Sequence, residues 1–272
     1  MKRLENNNYI NKRSSFTTLE EFKKRIKDYS RNLTNEEKHW SATLSFLEEN
    51  VETFFSGLHF VNEKLKSRRR MIDLGCGLGH VTKLIGEILG FDEIYGVDYE
   101  EKALKKAKER GIKVLKADLN YTLPFPDKYF DLAISFGVLD HLVWWDTFFS
   151  EANRILNDNG LLIIYMTNLG SWSSRISLLL GYQPRHIEIS TKILAGVHRR
   201  YLESSTPRPV GHIRTCTLRA MLDISHYYGF KSLKVYGLKM PSNHLLIKLI
   251  DNIASKFPTL SERYLLILEK EG

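Results

Sequence analysis

The chain has 272 residues, 43% of them hydrophobic and 26% charged, and its 40 Lys and Arg against 32 Asp and Glu give a formal charge of +8. That length suits one sizeable α/β core with elaborations, and a single folded domain is expected over residues 16–272. No apolar run reaches the roughly eighteen residues of a membrane span, and the opening "MKRLENNNYINKRSSF" lacks the apolar centre of a signal peptide, so a cytoplasmic location is expected. Cys76 and Cys216 form neither a disulfide framework nor a zinc-ligand spacing, so neither a metal nor a structural disulfide is expected. The positive charge would favour anionic partners. It is spread along the chain, with only "SRRR" (67–70) as a compact run, which equally fits a solvated basic surface.

Residues 1–15 are polar and aperiodic and read as a disordered tail. Residues 16–67 read as a helical cap, with Leu19, Phe22 and Ile26 at helical spacing, followed by Trp40, Leu44, Leu47, Val51, Phe54 and Phe55. A strand–helix alternation then begins. Strands are expected at 70–74, 93–98, 112–118, 130–136 and 161–167, and helices at about 80–89, 99–110 and 146–157. Near-continuous apolar strands between helices indicate a parallel sheet covered on both faces, a doubly wound α/β core over 68–168. Residues 169–215 interrupt the rhythm as an insert. Over 216–272 it resumes with the helix "TLRAMLDISHYY", the strand "GFKSLKVYG", the helix "NHLLIKLIDNIASKF" and the strand "RYLLILEKE".

Within "MIDLGCGLGH" the first strand runs into glycines at alternate positions, Gly75, Gly77 and Gly79, and then opens a helix. Such a turn lets backbone N–H groups and a helix N-terminus come close to a ligand. Asp73, Asp98 and Asp118 close the first three strands and so gather at the carboxyl edge of the sheet, where open α/β folds bind ligands. Each alone could be a turn or capping aspartate. A dinucleotide fingerprint does not fit, because the third glycine position holds His80, and "GCGLGHVTK" lacks the Walker lysine pattern.

These residues resemble the class I S-adenosylmethionine-dependent methyltransferases, in particular their broad small-molecule, type 11-like group. "MIDLGCGLGH" is similar to the first motif of that family and "IYGVDYEEKALKKAKE" to its second strand. "LKADLNYTLPFPDKYFDLAISFGVLDHL" and "LNDNGLLIIYMTN" resemble the segments around its fourth and fifth strands. The resemblance implies a Rossmann-like, seven-stranded, mostly parallel sheet whose last strand is antiparallel, and S-adenosylmethionine as cofactor. Asp73 and the backbone of Gly75, Cys76, Gly77 and Gly79 would then hold its methionine part. Asp98, with Tyr99 beside it, would bind the ribose hydroxyls, Asp118 and Leu119 would face the adenine, and Phe136 and Gly137 would line the methionine side.

Methyl transfer needs alignment and exclusion of water, and an oxygen or nitrogen nucleophile must also lose a proton. His141 and His212 are the candidate bases; either could instead be a histidine without a chemical role. Asp140 and Trp144 or Trp145 would shape the same mouth or simply pack. An Asn/Asp-Pro-Pro-aromatic motif is missing after the fourth strand, where the chain reads "SFGVLDH", and neither cysteine is placed as a base-carbon nucleophile. A nucleic-acid acceptor is therefore disfavoured; "TNLGSWSSRISLLLGYQP" and "GHIRTCTLRAMLDISHYYGF" resemble members of the group found with sugar and glycan pathways, which implies an oxygen of a small molecule or glycan as acceptor. RNA methylation and a non-catalytic, cofactor-binding scaffold remain as alternatives. The insert would form a substrate lid between strands five and six. On it, Trp172, Ile176, Leu179 and Leu180 share one helical face, suited to a lipid-linked acceptor, to peripheral contact with a membrane, or to packing on the core.

Overall fold

The strand–helix rhythm that starts at residue 70 closes into one seven-stranded sheet in a computed structural model that describes residues 16–31, 33, 42–198, 208–242 and 244–272. The expected tail, 1–15, and Trp40 lie outside the described residues. In chain order the strands are β1 (Arg70–Leu74), β2 (Glu93–Asp98), β3 (Lys113–Lys116), β4 (Phe130–Phe136), β5 (Leu156–Thr167), β6 (Phe230–Leu238) and β7 (Arg263–Lys270). Their spatial order is β3-β2-β1-β4-β5-β7-β6. Only β7 runs against its neighbours, pairing antiparallel with both β5 and β6. The order reverses between β1 and β4, which places a crevice at the carboxyl ends of those strands.

Nine described helices surround the sheet: α1 (Leu19–Arg31), α2 (Ala42–Glu49), α3 (Val51–Lys64), α4 (His80–Leu89), α5 (Glu101–Glu109), α6 (Trp145–Ile155), α7 (Trp172–Leu179), α8 (Leu218–Tyr227) and α9 (Leu245–Ala254). Side-chain alternation along β5 divides the core. Leu161, Ile163 and Tyr165 join Phe22, Leu44, Phe54 and Leu58 of the N-terminal helices on one face. Leu162, Ile164 and Met166 join Phe148 and Phe149 of α6 and Met221 of α8 on the other. Two-residue periodicity in a strand buried on both sides produces this split. α7 and α8 begin at hydroxyl caps: Ser171 accepts from the Ser174 N–H, and Thr217 from the Ala220 N–H.

Two boundaries differ from the sequence expectation. β3 is shorter, ending at Lys116, and β5 begins at Leu156, directly after α6. Phe130 pairs with Leu156, and the register then shifts before Leu132 meets Leu161. The extra residues turn through Asn159, at φ 61°, a conformation that asparagine tolerates. The insert is fastened to the carboxyl edge of the sheet. Leu169 N–H donates to Cys216 O at 3.0 Å, and the N–H groups of Ile213 and Arg214 both donate to Asp140 O, at 2.9 and 3.2 Å. Glu188 binds the insert together, accepting from the N–H groups of Val210, Gly211 and His212 and from Arg185. Among the described residues, no helix is long and apolar enough to cross a membrane, and no cluster of three metal-ligating side chains occurs.

Candidate functional site

Gly75, Gly77 and Gly79 all take positive φ, at 101°, 48° and 80°. Their reasons differ. A Cβ on Gly75 would collide with Val138, and one on Gly79 with Ile112 and Ala107, whereas a Cβ on Gly77 would meet nothing within 4 Å. Gly75 and Gly79 thus permit close packing, and Gly77 presents its backbone to open space at the crevice. Cys76, expected to contribute its backbone, does not present its side chain to the crevice. Its side chain turns inward over Gly96 and packs with Leu104, Ala107 and Ile112, and burial raises its thiol pKa. Its backbone is engaged as well, the N–H donating to Val97 O and the carbonyl accepting from the Gly79 N–H, each at 2.9 Å.

Asp73 is buried at the end of β1. Its Oδ2 accepts from Thr82 Oγ1 at 2.6 Å, while its Oδ1 has no hydrogen-bond partner. Burial first, opposed by the Thr82 hydroxyl and reinforced by nearby Asp98, pushes its pKa up to about 7. Asp98 is half-buried at the end of β2, and its Oδ2 accepts from the Gly77 N–H at 2.8 Å. Its Oδ1 accepts from the Glu100 N–H at 3.0 Å, so the carboxylate is held rigidly beside the glycine turn. Tyr99 is strongly exposed beside it. Asp118 lies just past β3 on the exposed rim and accepts from both nitrogens of Asn120 through Oδ1. The Asn120 side-chain oxygen in turn accepts from the Val143 and Trp144 N–H groups, which ties this loop to the one after β4. Leu119 is buried in the core beneath.

A buried carboxyl oxygen without a donor, open space beside Gly77 where a Cβ would stand and a fixed carboxylate at the end of β2 fit a ligand that carries a cationic amine at one point and hydroxyls at another. Phe136 is buried against Phe54 and Tyr165, with ring centroids at 6.0 and 5.8 Å. Gly137 follows at φ 70°, with open space where a Cβ would stand.

The turn after β4 brings the expected histidines together, their ring centroids 5.1 Å apart. His141 is exposed, and its Nδ1 lies 2.9 Å from Gly211 O. A carbonyl oxygen only accepts, so Nδ1 carries the proton and Nε2 keeps a lone pair in the neutral ring. His212 is different. Burial, followed by the positive charges of its neighbours, pushes its pKa down to about 2, and its Nδ1 is buried without a partner. It stays neutral, and His141 is the more exposed of the two.

The sequence offered Asp140 at this mouth, but not the polar residues that surround it. Asp140 is buried and accepts from Thr167 Oγ1 at 2.9 and 3.1 Å, and burial raises its pKa. Tyr165 OH and Arg263 Nε are both buried without hydrogen-bond partners, and the Arg263 guanidinium lies 4.0 Å over the Phe46 ring and 5.5 Å from the Tyr165 ring centre. Arg263 opens β7 opposite Thr167, a register that the linear sequence does not display. Thr82 is missed for a similar reason: it faces Asp73 only because α4 folds back from the glycine turn.

Residues 72–164 match a family described as a methyltransferase domain. A Mycobacterium tuberculosis protein described as a probable S-adenosylmethionine-dependent methyltransferase is 32% identical over 126 residues, covering 43% of this chain and 44% of that protein. The chain thus spans less than half the length of that relative. A trans-aconitate 2-methyltransferase of Rhizobium leguminosarum is 28% identical over 199 residues, covering 69% of this chain and 72% of its own. Among solved structures, an S-adenosylmethionine-dependent methyltransferase from Thermotoga maritima superimposes with a TM-score of 0.55 at 18% identity, covering 91% of this chain and all of that one. At that identity the likeness shows the fold. Residues 72–164 thus carry a methyltransferase domain on a methyltransferase-like fold, and the relatives named as S-adenosylmethionine-dependent methyltransferases imply S-adenosylmethionine as its cofactor.

Proposed function

We propose that the protein methylates an oxygen of a small molecule or glycan. The observation that carries the reading is His141, whose Nδ1–H is engaged by Gly211 O and whose Nε2 is left as a proton acceptor. It stands three residues beyond Val138, which packs on Gly75 of the cofactor turn. The sulfonium cofactor supplies an activated methyl group when bound. Asp73 Oδ1 and the backbone at Gly77 would hold its methionine part, Asp98 its ribose hydroxyls, and the Asp118–Asn120 loop its adenine end. Phe136 and Tyr165 would keep water from the reacting atoms. An acceptor hydroxyl would pass its proton to His141 Nε2 as its oxygen takes the methyl group, the methyl–sulfur bond breaking and its electron pair returning to sulfur as a neutral thioether.

A second reading concerns the acceptor atom. A carboxylate oxygen needs no base, one relative is a trans-aconitate 2-methyltransferase, and the unpartnered Arg263 Nε beside Tyr165 OH suits an anionic acceptor group. A single substitution separates the two readings. His141→Gln should retain S-adenosylhomocysteine binding in calorimetry and lower labelled-methyl transfer to hydroxyl acceptors by about a hundredfold or more. Undiminished transfer by the variant would remove His141 as base and favour the carboxylate. Transfer by neither protein to any acceptor, with the cofactor still bound, would favour the scaffold.

A further inference from the structure

Of the helical face that the sequence offered to a lipid-linked acceptor, a membrane or the core, Trp172 is half-buried, whereas Ile176, Leu179 and Leu180 are turned to solvent. In and just after α7, Leu178, Leu179 and Leu180 are exposed, Leu179 by 84%. α9 buries only Asp251 and Ala254, and leaves Leu245 and Leu246 exposed by 85% and 68%, with Leu249 and Ile253 exposed one and two turns on. The two helices are tied together: Trp172, the first residue of α7, donates its indole N–H to Asp251 Oδ1 of α9 at 3.1 Å. Asp251 also accepts from the Met240 N–H at 2.6 Å. It is therefore the inward anchor of the pair.

Soluble monomers rarely present so many large apolar side chains on neighbouring elements, and such a surface marks an interaction site. Its charge identifies the occupant. Asp251, buried and engaged, is the single acid in α7 and α9, whereas Arg175 in α7, Lys248 in α9 and Lys256 just beyond are exposed. Apolar residues flanked by cations, with no exposed acid between them, are the composition of helices that lie in the interface of an anionic bilayer. A second copy of the chain would set these cations against their own equivalents. We propose that α7 and α9 form a peripheral docking surface for anionic lipid, with their leucines in the headgroup–acyl boundary and the basic side chains on the lipid phosphates.

The proposal stands apart from methyl transfer, so cofactor binding and lipid binding are read separately. The test is flotation of the full chain with vesicles of phosphatidylcholine alone and of phosphatidylcholine mixed with phosphatidylglycerol. The wild type should float with the mixed vesicles, less with phosphatidylcholine alone, and less as salt rises. The double variant Leu246→Glu/Leu249→Glu should lose binding by about tenfold or more per leucine withdrawn from the bilayer. It should keep its circular dichroism and S-adenosylhomocysteine binding, because neither side chain is buried in the fold. If it misfolds, Leu179→Glu on α7 gives the same reading. A folded wild type that stays with the unbound fraction would overturn the proposal, as would a folded variant that floats equally well. A concentration-dependent dimer, abolished by these substitutions in place of vesicle binding, would assign the face to a second copy.

Discussion

Asp73 couples the cofactor turn to pH. Its pKa of about 7 in the fold stands above that of an ordinary carboxylate, so the stability linked to its proton is full in acid and is lost as pH rises through about 7. A ligand that brings a cationic amine to Asp73 Oδ1 favours the ionised form and expels that proton. Affinity for S-adenosylmethionine should therefore rise with pH below 7, by at most about tenfold per unit, and level off above it. Calorimetry in buffers of different ionisation enthalpy would detect the released proton, and Asp73→Asn should flatten the profile. A flat wild-type profile would mean that Asp73 does not meet the amine. The three aspartates and three glycines were legible because they cluster where strands end and a helix opens, although Asp118 falls two residues beyond the end of β3. Tyr165 and Arg263 were not, since one reads as a core strand residue and the other as the first residue of the last strand.

At the scale of elements the alternating strands and helices announced the sheet, and the antiparallel place of β7 came from the resemblance. The compact basic run was harder to read. The Arg69 and Arg70 N–H groups both donate to Asp131 Oδ2, at 2.8 and 3.0 Å, and the Arg70 guanidinium lies 4.1 Å over the Tyr129 ring. These residues fasten the start of β1 at the edge of the sheet opposite the glycine turn. The insert had no periodicity to reveal how it is held together, which one carboxylate does. Glu188→Ala would leave the Val210, Gly211 and His212 N–H groups and the Arg185 guanidinium without their shared acceptor, at a cost of about 1–3 kcal/mol. Limited proteolysis should then cut the insert faster while cofactor binding at the glycine turn persists. Unchanged cleavage would show that other contacts hold it.

Over the whole molecule, chemistry gathers at one edge of the sheet. Asp73, Asp98 and Asp118 lie at the ends of the first three strands, His141 follows the fourth, Thr167 ends the fifth, and Arg263 opens the antiparallel seventh. A long insert and the N-terminal helices meet that same edge: Phe46 of α2 covers Arg263, and the backbone at Gly211 holds His141. One measurement tests most directly that this edge is a methyl-donor site: calorimetric titration of the purified chain with S-adenosylmethionine, S-adenosylhomocysteine and NAD, with Asp98→Ala beside it. Both sulfur compounds should bind and NAD should not, and Asp98→Ala should lose that binding. Absence of binding by either sulfur compound, or binding that Asp98→Ala leaves intact, would contradict it.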